Sequence, residues 1–428
     1  MAATLDEHLE VIQRGAIDVE VRAELETKLK AFLAGKRGPL RVKAGFDPTR
    51  PDLHFGHCVL MQKLRQFREL GHTVIFLVGD YTAMVGDPTG KSEARPRLTM
   101  EQVLDAAATY QTQAFKVLDA PAPDGVTLGA LEIRRNSEWL GKLSPLDFIE
   151  LTAKRTLART LERRDFKQRF KEENDIYLHE LLYPMLQGYD SVALDADVEC
   201  GGTDQLFNLN VGRDLMPKYG KPAQCVVTTP LLEGLDAKLV DGVIVGNKMS
   251  KSADNYVGIT EAPLTMIRKC MQIDDAVIWR YFELLSSRSS AEIAALKTRA
   301  ESATALLDRL APKQEFAVEM VRRFHDDAAA QHAWEEFKRV YLKLDGGGLP
   351  DNIPEHSLPG GEGGLWIAKA LSATALAPST SEGKRMVKQG QVEIDGSKID
   401  DDTLKLQPGR YLLKTGSKNR KFAYVTVT

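Results

Sequence analysis

From Pro39 to Phe46, Leu40, Val42 and Ala44 alternate with Arg41 and Lys43, which predicts a strand. Asp47-Pro48-Thr49-Arg50-Pro51-Asp52 follows with turn chemistry. From His57 to Leu70 the apolar positions Leu60, Leu64 and Phe67 fall on one helical face. Thr73 to Val78 is a largely apolar run of β-formers, the pattern of a strand buried on both faces. Together these predict a βαβ unit, and parallel sheets of this kind bind ligands beyond the carboxyl ends of their strands. His54 and His57 lie at that end, and so does Gly86-Asp87-Pro88-Thr89-Gly90-Lys91.

The pattern continues with a helix over 98–118, capped by Thr99 with Glu101 and Gln102 in its first turn. A mixed-charge helix is expected from Lys154 through Lys171, and an apolar one over 176–189 that Pro184 can kink. Strands are expected over 197–202 and 224–232, with a helix over 203–215 between them. Residues 264–338 read as almost wholly helical, and 346–364, rich in Gly and Pro, as a linker. Beyond it 366–389 is helical in pattern, and 391–399 is a hairpin with Asp395-Gly396 at its turn.

Composition narrows the class. A chain of 428 residues with 43% hydrophobic and 27% charged residues suits an ordinary globular protein of several domains. No apolar run approaches the roughly 20 residues of a membrane span. Met1 to Glu10 carries acids and no apolar stretch, which argues against a secretory signal. Cys58, Cys200, Cys225 and Cys270 are far apart, with no zinc-site spacing, so no protein-bound metal is expected and a cytoplasmic location fits. The net charge is −3, yet Leu365 to Thr428 holds 11 basic and 6 acidic residues. A basic tail on an acidic body suggests an anionic partner for the tail.

Two motifs carry the chemistry. In His54-Phe55-Gly56-His57 the imidazoles can donate to phosphate oxygens at a helix start, and Gly56 admits close approach. About two hundred residues on comes Lys248-Met249-Ser250-Lys251-Ser252, after the sparsely packing Val245-Gly246-Asn247. Ammonium groups closing over a triphosphate during reaction stabilise the transition state more than the ground state. Alone, each motif is matched by a bland alternative, structural histidines in one case and a solvated lysine loop in the other. Their order and context favour ATP held for attack on its α-phosphate. Gly86 to Lys91 imitates a P-loop but has one residue too few between its glycines, and Pro88 removes a needed N–H. It reads better as a substrate-lining turn offering Asp87. Tyr183, Gln187 and Asp190 share one helical face among apolar neighbours, the signature of a lined pocket. Gly201-Gly202-Thr203-Asp204-Gln205 adds a tight turn with a carboxylate and an amide.

These segments, with Gly45-Phe46-Asp47-Pro48-Thr49, resemble the bacterial tyrosyl-tRNA synthetases, class I aminoacyl-tRNA synthetases, over essentially the whole chain. The lysine motif is similar to that of one bacterial subgroup. The resemblance implies a Rossmann-like parallel-sheet catalytic domain over 1–260, with a dimerisation region inserted at about 115–180. An α-helical anticodon-binding domain over 261–345, a linker over 346–364 and an α+β RNA-binding domain of the S-four type over 365–428 would follow. It implies that Asp47, Thr49, His54, Gly56, His57, Asp204 and Lys251 bind ATP. Lys91, Arg95, Lys248 and Lys251, with the histidines, would stabilise the departing pyrophosphate, with Mg²⁺ on the phosphates. Asp87, Tyr183 and Gln187 would hold the α-ammonium of tyrosine, Gln205 its carboxylate region and Asp190 its phenolic hydroxyl. The family commonly has a tyrosine where this chain has Lys43, which could reach Asp190 or Asp80 and share in hydroxyl recognition. In the tail, Lys384, Arg385 and Lys388 would touch tRNA phosphates. The basic stretch 154–171 is either an acceptor-stem contact or a solvated helix face.

The implied activity is ATP-dependent charging of tRNA(Tyr) with L-tyrosine by a homodimer, with no membrane association. Two alternatives stand beside it: a tryptophanyl-tRNA synthetase of the same fold, and a synthetase-like RNA-binding protein that has lost catalysis.

Overall fold

The computed structural model describes residues 4–48, 53–89, 99–122, 125–342, 348–361, 363–416 and 420–428. Two compact units emerge, Met1–Ala262 with Lys269–Asp326, and Pro263–Arg268 with Asp327–Thr428.

The first unit is organised by a six-stranded sheet: β1 (Asp18–Glu20), β2 (Arg41–Phe46), β3 (Thr73–Val78), β4 (Leu131–Arg135), β5 (Val198–Gly202) and β6 (Cys225–Thr229). Its strand order is β1-β6-β5-β2-β3-β4. Strands β2 to β6 run parallel, and only β1 runs antiparallel, against β6. The chain reverses direction across the sheet between β2 and β5, which makes their carboxyl ends the switch point where such sheets take ligands. Pairing there is short. Val42 pairs with Val198 and Lys43 with Glu199, and the ladder stops. Meanwhile β2 stays paired to β3 up to Phe46, and β5 to β6 up to Gly202. The two middle strands therefore part above the Lys43–Glu199 rung, and a crevice opens between them.

The elements around the crevice follow from local chemistry. The helix Phe55–Glu69 packs against β2, β3 and β5. Its buried face includes Phe55, Met61, Leu64 and Phe67. The helix Met100–Leu118 starts at a capping box in which Thr99 and Gln102 satisfy each other's backbone N–H groups. The helix Leu178–Leu194 runs through Pro184 without ending, because packing on its buried face outweighs one missing hydrogen bond. Residues 154–171 do not form the single helix expected. Helices Leu157–Leu161 and Arg164–Lys171 are separated at Arg163, whose backbone is extended at ψ 131°. At the break the Arg163 guanidinium is buried and paired with Asp87 and Asp165 instead of lying on a solvated helix face.

In the second unit a five-stranded sheet joins Glu355–Leu358, Val392–Ile394, Ser397–Ile399, Gly409–Thr415 and Lys421–Val427. The expected linker thus contributes a strand: Glu355–Leu358 pairs parallel with Lys421–Val427. The helical stretch expected over 366–389 is two helices, Ile367–Ala373 and Thr380–Lys388, parted where Ala375 takes φ +55° shortly before Pro378. The hairpin turns at Asp395 (φ +49°) and Gly396 (φ +84°), the conformation a two-residue turn of this handedness requires. No helix among the described residues is long and apolar enough to cross a membrane.

Candidate active site

A cavity of about 790 Å³ fills the crevice and is lined by His54, His57, Asp87, Tyr183, Gln187, Asp190, Gln205, Lys248 and Lys251, among others. Segments almost two hundred residues apart in sequence meet in it. Thr49, Lys91 and Arg95 lie outside the described residues.

One end of the cavity is built on backbone. The Gly56 N–H donates to His54 Nδ1 at 3.1 Å, and the His54 N–H donates to His57 Nδ1 at 3.2 Å. A ring nitrogen that accepts carries no proton, so each neutral imidazole is the tautomer with its proton on Nε2. Burial, then the charges of His57 and Lys251, push the His54 imidazole down to about 3. Burial chiefly, with Lys251 adding to it, pushes His57 down to about 4. At neutral pH the pair is two uncharged N–H donors with fixed orientation. A Cβ on Gly56 would lie 2.9 Å from His54 Cε1, so the fold-back of His54 requires glycine.

The lysine segment is tied to the same place. Phe55 N donates to Val257 O at 3.0 Å and Ile259 N to Leu53 O at 3.1 Å, so the strand leaving the lysines pairs with the start of the histidine helix. On the incoming side Met249 N donates to Leu232 O at 2.7 Å, and Lys248 bridges Glu233. Asn255 pins the interior: its side-chain oxygen accepts from Ser250 N at 2.8 Å, and its amide donates to Asp236 at 2.7 Å. Asn255, 6% exposed, was not singled out in the sequence; its position three residues past the motif offered no signal.

The other end is built on side chains. Asp190 is 2% exposed. It accepts from Trp139 Nε1 at 2.8 Å and Asn136 Nδ2 at 3.3 Å. Burial pushes its carboxyl up to about 7, against the charge of Lys43 and these two hydrogen bonds, which hold it down. Trp139 and Asn136 follow β4, far from any motif, and no sequence signal marked them. Tyr183 donates to Asp47 Oδ2 at 2.9 Å and Thr82 to Asp47 Oδ1 at 2.8 Å, so both Asp47 oxygens bind protein groups. Asp87 accepts from Gln205 Nε2 at 2.8 Å and pairs with the buried Arg163 at 3.4 Å. Asp204 sits exposed in the turn Thr203–Gln205 and does not line the cavity.

Lys43 differs most from expectation. Its fully buried ammonium lies 2.9 Å from Glu199 Oε1, and neither residue lines the cavity. Asp80, the other partner considered, accepts instead from Ser137 Oγ at 2.7 Å. In the second unit Lys384 and Lys388 are exposed and lie 3.2 and 3.6 Å from Asp402, while Arg385 pairs with Glu382. Among the described residues a cluster of potential metal ligands occurs at His332, Glu336 and Asp351, in the second unit and not in the cavity.

The cavity thus sits at the switch point of a parallel sheet, with imidazole and ammonium donors on one side and a buried acid on the other. Residues 35–341 match the model of the class I tRNA synthetases (W and Y), and the chain belongs to that family. Among its relatives, the tyrosine–tRNA ligase of Thiobacillus denitrificans is 49% identical and aligns over 99% of this chain and 100% of its own length. That of Nitratidesulfovibrio vulgaris is 48% identical over 99% of both chains. The structure of a truncated mitochondrial tyrosyl-tRNA synthetase of Coccidioides posadasii superposes with a TM-score of 0.63 at 21% identity, covering 77% of this chain and 90% of that one. At that identity it attests the fold alone.

Proposed function

We propose that this chain activates L-tyrosine with ATP and transfers the tyrosyl group to the 3′ end of tRNA(Tyr). One observation carries the reading: the histidine and lysine donors and the buried Asp190 line a single cavity. A tyrosine carboxylate oxygen forms a bond to the α-phosphorus, the bond to the β-phosphate bridge breaks, and pyrophosphate leaves. The terminal ribose hydroxyl of tRNA then attacks the adenylate carbonyl and AMP leaves, so no enzyme nucleophile is needed. His54 and His57 donate from Nε2 to phosphate oxygens, and Lys248 and Lys251 meet the charge that builds as pyrophosphate departs. Mg²⁺ accompanying the ATP phosphates would supply further charge neutralisation, beside the donors of His54, His57, Lys248 and Lys251. Thr49, Lys91 and Arg95 are assigned to the same end by resemblance. At the far end Asp190 accepts the phenolic hydroxyl, while Gln187, Tyr183 and Asp87 surround the ammonium and Gln205 the carboxylate region.

A homodimer is supported by large exposed apolar side chains concentrated in one segment, with Leu146 73%, Leu157 60%, Phe170 68% and Leu178 82% exposed. Lys384, Arg385 and Lys388 are proposed to position tRNA. The four buried thiols suit a cytoplasmic setting. The test is ATP–pyrophosphate exchange with each amino acid, with and without tRNA. Exchange with tyrosine alone is expected. Exchange with tryptophan in its place, or RNA binding without exchange, would overturn the reading.

A further inference from the structure

Behind the amino-acid end of the cavity lies a buried network that the reaction scheme does not use. Glu199, 1% exposed, stands opposite Lys43 on the last rung between β2 and β5, where the crevice begins. Its Oε1 takes the Lys43 ammonium at 2.9 Å and the side-chain amide of Gln187 at 3.2 Å. Its Oε2 accepts from Ser191 Oγ at 3.1 Å and from the amide of Gln224. Lys43 also donates to the Gln187 backbone carbonyl at 3.4 Å. Gln187 itself lines the cavity.

A carboxylate only accepts, so the Gln187 group facing Glu199 must be the –NH₂. The amide oxygen is then the atom left to serve the cavity. The opposite rotamer would point –NH₂ at an incoming ammonium and its oxygen at Glu199, which is repulsive at both ends. Lys43 supplies the counter-charge without which a carboxylate this deep would be costly to keep ionised.

We propose that Glu199, paired with Lys43, is a positioning residue that fixes the Gln187 amide with its oxygen toward the cavity, where it meets the ammonium of the amino acid. The proposal rests on the tyrosine reading above and deepens it: it says how the site recognises an α-ammonium and why Lys43 stands where it does. In Glu199→Gln alone the Lys43 ammonium would hold the new oxygen at the Oε1 place; combined with Lys43→Met, residue 199 turns its –NH₂ toward Gln187 and its oxygen toward the Gln224 amide, so the Gln187 amide turns over.

The test compares two ligands on the full-length protein by calorimetry: L-tyrosine, and 3-(4-hydroxyphenyl)propionate, which lacks the ammonium. For Lys43→Met with Glu199→Gln, tyrosine affinity is expected to fall about tenfold to a hundredfold, the range of a lost hydrogen bond to a charged group. Affinity for the propionate is expected to stay within about twofold. Adding Gln187→Glu to that double variant offers a carboxylate oxygen both to the residue 199 amide and to the cavity, so tyrosine affinity should recover. Equal losses for both ligands, no loss for either, or no recovery in the triple variant would overturn the proposal. Absence of tyrosine binding to the unaltered protein would instead remove the reading it rests on.

Discussion

The two ends of the cavity are built by different means. At the histidine–lysine end, position is set by the main chain: a capping box orients both imidazoles, and backbone rungs tie the lysine segment to the same helix start. At the Asp190 end, position is set by side chains from four separate elements, and the last of them stand behind the wall. The difference shows in protonation. The imidazoles of the first end are held neutral down to about 4, chiefly by burial. At the other end burial pushes the Asp190 carboxyl up to about 7. One end is indifferent to pH over the working range, and the other is poised within it.

The sharpest way to break the comparison is Lys251→Ala. Removing a charge aligned with the departing pyrophosphate is expected to lower kcat of tyrosine-dependent exchange by about 10²–10³-fold. Tyrosine affinity by calorimetry should be unchanged, and a loss there would mean that the ends are not independent. Next comes Gly56→Ala. The added methyl displaces the His54 ring, so kcat/KM for ATP should fall about tenfold or more, a displacement of an ångström being enough.

Asp190→Asn addresses the other end. Discrimination of tyrosine from phenylalanine in exchange should shrink by about tenfold, with KM for ATP unmoved. A smaller effect is the pH profile. As pH falls through about 7, Asp190 gains a proton and becomes a weaker acceptor for a phenol, losing the charge that strengthens the bond. kcat/KM for tyrosine should then decline between pH 8 and 6, while KM for ATP stays level. Asp190→Asn should flatten the tyrosine profile.

The smallest effect concerns stability. The Asp190 pKa is raised on folding, so below the unfolded value the acid is neutral in both states and its burial is harmless. Stability is lost as pH rises from about 4 to about 7, where the unfolded chain has already released the proton. Asp190→Asn should therefore raise Tm at pH 8 more than at pH 5. Equal changes at both pH values would contradict the buried-acid account.

The same contrast governs what could be read from the sequence. The phosphate end is encoded by contiguous residues whose own backbone does the work, so His54 to His57 and Lys248 to Ser252 were legible as motifs. Thr73–Val78 and the turn at Asp395-Gly396 were legible for the same reason, being decided by local chemistry. Residues that act across the sheet left no such trace. Trp139, Asn136 and Glu199 meet Asp190 and Gln187 only because the strands bring them together. Lys43 stands out in the sequence as unusual, yet its partner is chosen by strand register, and a sequence does not print its register. The break at Arg163 and the strand Glu355–Leu358 are hidden in the same way, since their partners, Asp87 for the one and Lys421–Val427 for the other, lie far off in the sequence.

The short rungs on either side of the lysine segment carry a mechanical implication. With Met249 and Ser250 held on one flank and Asn255 on the other, only Lys251 to Asp254 can swing, like a rope moored at both ends. Travel of the main chain toward a nucleotide is limited by those moorings, and the rest of the distance falls to the methylene stem of Lys251. Reach, as well as charge, is then what this position demands, and a cation on a shorter arm would arrive too late in space to meet the leaving group.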